Sequence, residues 1–406
     1  QPEAAHFYKS ILMDEKVDDK MDFSKRYGDS SSNILTDLEM ERQRLIAQGR
    51  EVINLSVGTP DLPPDQTVMT ALLRESMNPE NYKYSLGDLP VLQDAVIGWY
   101  ARRYGVALER ENIAAVYGSQ EGLAHIAFPI CDPGDIVLVC DPGYPVFSFG
   151  PLMAGAQLIT MPLTEENNYL IDFESISPAA ARRAKMMVVS YPNNPLTATA
   201  DYEFYERLVR FAKEHDILVV HDNAYSELVY EGEPGLSFLS VPGAMDVGIE
   251  FNSLSKSYNL TGMRISFAIG NAEVIRRFKA FRSQIDYGIF PAVQKAAAAV
   301  LNGPQDILER NRNTYRSRSA LLSRSLRQAG WPVPDCHATM FTWYPLPGGR
   351  TDSAAFALEL LEKTGVLCVP GIGFGSMGEG YVRMALVQPE ETLTRAARLI
   401  GDSGLL

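Results

Sequence analysis

The chain has 406 residues, 46% of them hydrophobic and 21% charged, with a formal net charge of −13. That length exceeds a single compact core and predicts a globular protein of two domains. The acidic balance argues against nucleic acid or an anionic membrane as the main partner, but a local basic pocket can still take a small anionic ligand.

The first residues, 1–34, are polar and charged and end in Asp29-Ser30-Ser31-Ser32-Asn33. They read as an N-terminal arm with weak core-forming capacity. The opening Gln1-Pro2-Glu3-Ala4-Ala5-His6 lacks a basic stretch followed by an apolar one, so no signal peptide is expected. No apolar run reaches the length of a membrane span. The four cysteines, Cys131, Cys140, Cys336 and Cys368, lie in or beside apolar runs without clustered spacing. They read as reduced thiols of a cytoplasmic protein, not as disulfides or a zinc site, and the scattered histidines give no sign of a metal.

Helical spacing of Leu35, Leu38, Met40 and Leu45 predicts a helix over 35–48, closed by Gly49. A short strand over 52–57 runs into the turn Gly58-Thr59-Pro60-Asp61. Helices are expected over 68–77 and 90–104, the second with Pro90 in its first turn and Gly105 after it. From residue 112 strands and helices alternate. Strands are expected over 113–117, 136–140, 157–161, 185–190, 217–220, 248–253 and 264–269, with helices such as 120–128 and 202–213 between them. Several of these strands are nearly continuous apolar runs, as in buried parallel sheets. The pattern predicts an α/β fold with a large, doubly wound, mainly parallel seven-stranded sheet. Helices over 272–282 and 292–301 and a long one over 307–329 lead to a smaller α+β domain. Its strands are expected near 340–344, 366–369 and 381–385, and its helices over 353–363 and 391–400. The expected division is an arm, 1–34; an N-terminal part of the small domain, 35–58; a large domain, 59–294; and a C-terminal small domain, 295–406.

The chemistry gathers where strands end. Ser253-Leu254-Ser255-Lys256 sets a lysine among hydroxyls between two expected strands, with Arg264 ahead of the second. Ligands of α/β proteins sit at such places, and hydroxyls with an arginine bind phosphate. That points to a Schiff-base lysine beside a phosphate-bearing cofactor, pyridoxal phosphate. The plainer reading is a surface lysine in a serine-rich loop. Gly118-Ser119-Gln120-Glu121-Gly122 follows a strand and opens a helix, which makes an anion site or an ordinary N-cap. In Asp141-Pro142-Gly143-Tyr144-Pro145 the tyrosine can lie flat over a planar ring or be an exposed loop residue. Tyr191-Pro192-Asn193-Asn194-Pro195 is a rigid turn that presents Asn194, or a plain β-turn. In His221-Asp222-Asn223-Ala224-Tyr225 a buried Asp222 needs a cationic partner such as a protonated pyridine nitrogen, or else caps a helix. Each motif alone is weak. Their conjunction suits one flat, phosphorylated, nitrogen-containing ring.

These motifs run in order from Asn54 to Ala385, with Arg383 in Tyr381-Val382-Arg383-Met384-Ala385. In that arrangement the chain resembles the class I and II aminotransferases, pyridoxal-phosphate enzymes of fold type I. The resemblance implies that Lys256 carries the cofactor as a Schiff base and then acts as general base. Asp222 pairs with the ring nitrogen, Asn194 and Tyr225 hold the ring oxygen, and Tyr144 stacks on the ring. Ser119, Gln120, Ser253, Ser255 and Arg264 bind the phosphate. Arg383 clamps the substrate α-carboxylate, which Gly58 touches through its backbone. It further implies a homodimer with shared active sites, in which a neighbouring subunit lends the phosphate a tyrosine, Tyr82 with Tyr84 as the alternative. Substrates would be amino acids and 2-oxo acids.

Departures from the family pattern are also visible. Leu196-Thr197-Ala198 follows Pro195 and lacks the usual glycine, and Met263 and Ser266 stand where an aromatic residue and a glycine are common. The loop 283–291 has no basic residue past Arg282. It is similar to that of the alanine:glutamate and LL-diaminopimelate aminotransferases rather than a strict aspartate enzyme, with glutamate and 2-oxoglutarate the favoured donor pair. Two alternatives share these motifs. A β-lyase uses the same fold. A non-catalytic regulator would need a DNA-binding domain for which the first ~50 residues are too few, and it would have no use for Lys256.

Overall fold

The computed structural model describes residues 33–231 and 235–406. The expected arm, 1–34, therefore lies outside the described residues except for its last two, which open helix α1, Asn33–Ala47. This helix buries Leu38 and Leu45. Strand β1, Ile53–Asn54, is shorter than the expected 52–57, and it pairs with the two-residue β10, Val366–Leu367. Helix α2, Gln66–Ser76, starts where the Asp65 carboxylate accepts the Thr67 N–H. Helix α3, Pro90–Tyr104, has proline in its first turn and ends on Gly105 in the left-handed region.

The central sheet has seven strands, as expected. They are β2, Ile113–Val116; β3, Ile136–Asp141; β4, Gln157–Pro162; β5, Ala184–Ser190; β6, Leu218–Asp222; β7, Gly248–Ser253; and β8, Ser266–Gly270. Their order is β2-β8-β7-β6-β5-β3-β4; β8 runs antiparallel to both its neighbours and the other pairs are parallel. Because side chains alternate across a strand, each strand feeds two cores. Val137, Val139, Phe251 and Ala268 face one side, packed with Leu123 of α4, Ser119–His125; Phe147 of α5, Val146–Met153; and Phe278 further along the chain. Ile136, Leu138, Met187 and Phe267 face the other, where Tyr100 and Leu208 cover them.

Helices α6, Pro178–Arg183; α7, Tyr202–His215; α8, Ala244–Val247; α9, Leu254–Ser257; α10, Ala272–Arg282; and α11, Pro291–Asn302, complete the layers around the sheet. Helix α5 was not expected, because Gly150 and Pro151 interrupt its sequence pattern. Tertiary packing overrides that local signal: Val146 and Phe147 are buried, and Gly150 passes so close to the Leu123 carbonyl that a Cβ would reach 2.6 Å.

A separate core belongs to the smaller unit. Helix α12, Asp306–Gln328, leads into β9, Phe341–Pro345; α13, Ser353–Thr364; β11, Val369–Pro370; β12, Tyr381–Ala385; and α14, Glu390–Gly401. The expected strand over 366–369 is two strands in two sheets, β10 beside β1 and β11 beside β12, with buried Cys368 between them. Leu38, Leu45, Ile53 and Leu55 join this core. The expected boundary at 294/295 falls inside α11, which packs on α2 and α3; we propose that the large unit extends to residues 303–305. All four cysteines are free and buried, and burial pushes the thiols of Cys140 and Cys368 up to about 12. No helix among the described residues is long and apolar enough to cross a membrane.

Candidate active site

A cleft of about 290 Å³ opens at the carboxyl ends of the parallel strands, where α/β sheets place ligands. It is lined by Gly58, Ser119, Gln120, Tyr144, Asn194, Asp222, Tyr225, Ser253, Ser255, Lys256, Arg264 and Arg383. The topology explains the convergence. β5, β6 and β7 are adjacent and parallel, so the turn after Ser190, the end of β6 at Asp222 and the β7–α9 junction all emerge at one edge. β8 runs the opposite way, so Arg264, two residues before its start, lies at that same edge.

Lys256 sits on α9, held by Ser253 as N-cap, whose Oγ accepts the Ser255 N–H at 3.1 Å. The lysine Nζ donates to the Gly58 carbonyl at 2.5 Å. Burial, with Arg383 and Arg264 adding repulsion, lowers its pKa to about 8 against the opposing pull of Asp222. Ser266 has a use that its sequence position did not disclose. Its hydroxyl donates to Ser253 Oγ at 2.8 Å. Ser253 Oγ thus accepts two hydrogen bonds, which leaves its own proton to donate.

Ser119 opens α4 directly after Gly118, and its Oγ is buried without a partner. Arg264 donates to the Tyr117 carbonyl at 3.0 Å and to the Thr261 carbonyl at 2.9 Å. Gly118 has a φ of +89°, and a Cβ there would overlap the Arg264 guanidinium. Only glycine lets the arginine lie across this helix start. Backbone donors, hydroxyls and a guanidinium at a helix N-terminus make a phosphate cradle.

Asp222 is buried, and its Oδ1 has no hydrogen-bond partner. Burial raises its pKa to about 6, with His221 and Lys256 pulling it back. Its Oδ1 is therefore left without a donor inside the cleft. Behind it lies a network that the sequence did not suggest. His221 and Glu250 are register neighbours on β6 and β7, both fully buried. Glu250 accepts from Tyr100 Oη at 2.8 Å, Ser237 Oγ at 3.0 Å and the Phe238 N–H at 2.9 Å, and lies 3.0 Å from His221 Nδ1. Four neighbours saturate its lone pairs. His221 Nε2 is 3.1 Å from the Tyr191 carbonyl, at the start of the Asn194 turn. The network ties β6 and β7 to the turn after β5. The one sequence signal was a glutamate within the otherwise apolar run 247–251.

Arg383 projects from β12 of the smaller unit into the cleft. Its Nη1 donates to Asn194 Oδ1 at 2.9 Å and its Nη2 to the Ser56 carbonyl at 2.8 Å, while its Nε is buried without a partner. The guanidinium lies between the Phe341 ring, 4.1 Å from its centroid, and the Phe374 ring, at 4.8 Å. Such stacking suits arginine and holds the fork in one plane. Burial lowers its pKa to about 10, still charged at neutral pH. Tyr225 lines the same cleft, and burial raises the pKa of its hydroxyl. Phe341 and Phe374 were not expected at the site.

Tyr82 and Tyr84 lie outside this cleft. Both are exposed, Tyr82 packed against Phe290 and Tyr84 against Tyr287. Among the described residues no group of three or more His, Cys, Asp or Glu side chains is placed to hold a metal ion. The orphaned atoms fit pyridoxal phosphate: a ring cation for Asp222, a phosphate for Ser119 and its neighbours, and a substrate carboxylate for Arg383.

Comparison with known proteins gives the same answer. The LL-diaminopimelate aminotransferase of Moorella thermoacetica is 45% identical over 369 residues, covering 88% of this chain and 94% of the relative. The enzyme of that name from Dehalococcoides mccartyi is 42% identical over 377 residues, covering 92% of this chain and 97% of the relative. Among solved structures, a single mutant of the Thermus thermophilus aspartate aminotransferase matches with a TM-score of 0.89 and 28% identity, covering 95% of this chain and all of the other. The model of the family "Aminotransferase class I and II" matches residues 50–400, and the chain belongs to that family of pyridoxal-phosphate-dependent enzymes, with the fold-type-I architecture.

Proposed function

We propose that the enzyme moves an α-amino group between LL-diaminopimelate and 2-oxoglutarate, with glutamate as the other amino acid, in cytoplasmic amino-acid metabolism. The observation that carries the substrate is the close identity, along most of the chain, with enzymes of that name. The absence of a basic residue past Arg282 in the 283–291 loop agrees with it.

Pyridoxal phosphate, when bound, supplies the electron sink that makes the Cα–H of an amino acid acidic. The chain's residues then divide the work. Lys256 would hold the cofactor covalently, and its free amine would be the base beside Cα. A pKa near 8 leaves it able to both take and return a proton at neutral pH. Asp222 would pair with the ring nitrogen and keep its proton in place. Asn194 and Tyr225 hold the ring oxygen, and Tyr144 covers one ring face. Ser119, Gln120, Ser253, Ser255 and Arg264 bind the phosphate. Arg383 takes the substrate α-carboxylate in bidentate fashion, which its plane and five donors favour over lysine, and Gly58 lines that end of the cleft. Tyr82 completes the phosphate site of a second subunit in a homodimer.

The test is a half-reaction screen. The holoenzyme is mixed singly with LL-diaminopimelate, glutamate, aspartate and alanine while the visible cofactor band is followed. LL-diaminopimelate and glutamate should consume the band. Reaction with aspartate or alanine alone would reject the substrate assignment, and release of ammonia with pyruvate would make the protein a β-lyase.

A further inference from the structure

Asp141, the last residue of β3, is buried and faces the smaller unit. Its Oδ2 accepts the Ser376 hydroxyl at 2.7 Å and its Oδ1 the Met377 N–H at 3.0 Å. Two residues on, the Gly143 N–H donates to the Phe374 carbonyl at 2.8 Å. Both sides of this joint lead to residues of the cleft. On the large unit the chain continues directly to Tyr144, and on the small one Phe374 carries the ring that covers Arg383. Gly375, at φ +126°, sits where a Cβ would overlap Asp141 Oδ1. The approach of the two units at this point therefore requires glycine. Trp343, the cross-strand partner of Arg383, packs edge-on against Phe374 with centroids 6.0 Å apart.

A carboxylate with both oxygens engaged by donors of one loop fixes that loop in two directions. We propose that Asp141 is a positioning residue: it holds the 371–378 loop so that Phe374 seats Arg383, and thereby sets where the substrate carboxylate binds relative to Tyr144. It acts through Arg383 and touches no substrate itself. The inference rests on the proposed role of Arg383.

The experiment compares the holoenzymes of the wild type, Asp141→Asn, Gly375→Ala and Ser376→Ala. The glutamate half-reaction gives a half-saturating concentration and a limiting rate, and hydrogen exchange reports the amides of Gly143 and Met377. Asp141→Asn and Gly375→Ala should each raise half-saturation about tenfold or more, with a limiting rate within about threefold of wild type. Ser376→Ala removes one contact and should give a smaller rise; it also serves if the other two fold poorly. Cofactor retention and the position of the visible band should not change. Met377 should lose protection in Asp141→Asn. Lost protection with unchanged half-saturation would overturn the proposal, as would a loss of cofactor affinity equal to the loss of amino-acid affinity. A wild type that reacts with no amino acid would instead reject the proposed function, and the exchange arm still reads the joint.

Discussion

Lys256 and Asp222 carry opposite charges that burial disfavours in both cases, and their pH behaviour follows. The folded-state pKa of Lys256 is about 8 against its ordinary 10.5. Between those values the unfolded chain binds more protons, so the stability of the cofactor-free protein rises with pH across that window. Below it the folded state bears the full cost of a buried cation. Lys256→Met should therefore stabilise the cofactor-free chain at pH 7 by on the order of 1–3 kcal/mol while abolishing turnover. Urea melts at pH 7 and pH 10.5 check this; a gap that does not close at the higher pH would refute it. Asp222 moves the other way, to about 6 from 3.8. Across that window the folded state binds more protons, stability falls as pH rises, and the full cost is present above it. Asp222→Asn should leave the cofactor-free chain at least as stable at pH 7. In the loaded enzyme it would leave a ring cation without its partner, a loss of about 3–5 kcal/mol, or roughly a hundredfold to five-thousandfold in rate. Steady-state kinetics on fully loaded enzyme reads this directly.

At the scale of elements, the junction of β2 and α4 shows how a local conformation builds a binding site. Gly118→Ala places a Cβ against Arg264 in a backbone conformation that L side chains avoid. Cofactor affinity should fall about tenfold or more, measured by titration of the visible band, with little change in the limiting rate at saturation. The long amphipathic helices and the apolar central strands were legible because their periodicity is strong and their boundaries carry glycine or proline. Helix α5 was not, since its burial compensates for a Gly-Pro pair that local reasoning reads as a break. The division of 366–369 into two strands was equally hidden, because partners on two different sheets decide it.

At the scale of the molecule, Tyr82, Tyr84, Leu86, Ile285 and Tyr287 form an exposed apolar face beside a cavity of about 660 Å³ lined in part by Arg282 and Asp88. Exposed aromatic residues in such number mark an interaction surface. A twofold dimer that lends Tyr82 to a second site predicts subunit complementation. Lys256→Ala and Tyr82→Ala chains, each weak or inactive alone, should regain activity when refolded together, because one site of the mixed dimer is intact. Activity of the mixture no higher than the sum of its parts, with mixed dimers present by mass spectrometry, would reject shared sites.

The amino-acid sequence by itself determined the α/β class, the order of the strands along the chain and the residue types at their ends. Hydrophobic periodicity and turn chemistry are local, and they survive without knowledge of any partner. Lys256, Asp222 and Asn194 were visible for that reason: each stands at or just past the end of a recognisable strand, whereas Arg383, in the middle of β12, was placed by the family resemblance. Only the tertiary structure decided what surrounds them. Phe341 and Phe374 around Arg383, Glu250 under His221, Ser266 on Ser253 and Asp141 across the two units are contacts between segments distant in sequence. No periodicity records such contacts, because they arise from the order in which strands pair and from the close approach of two separately built cores.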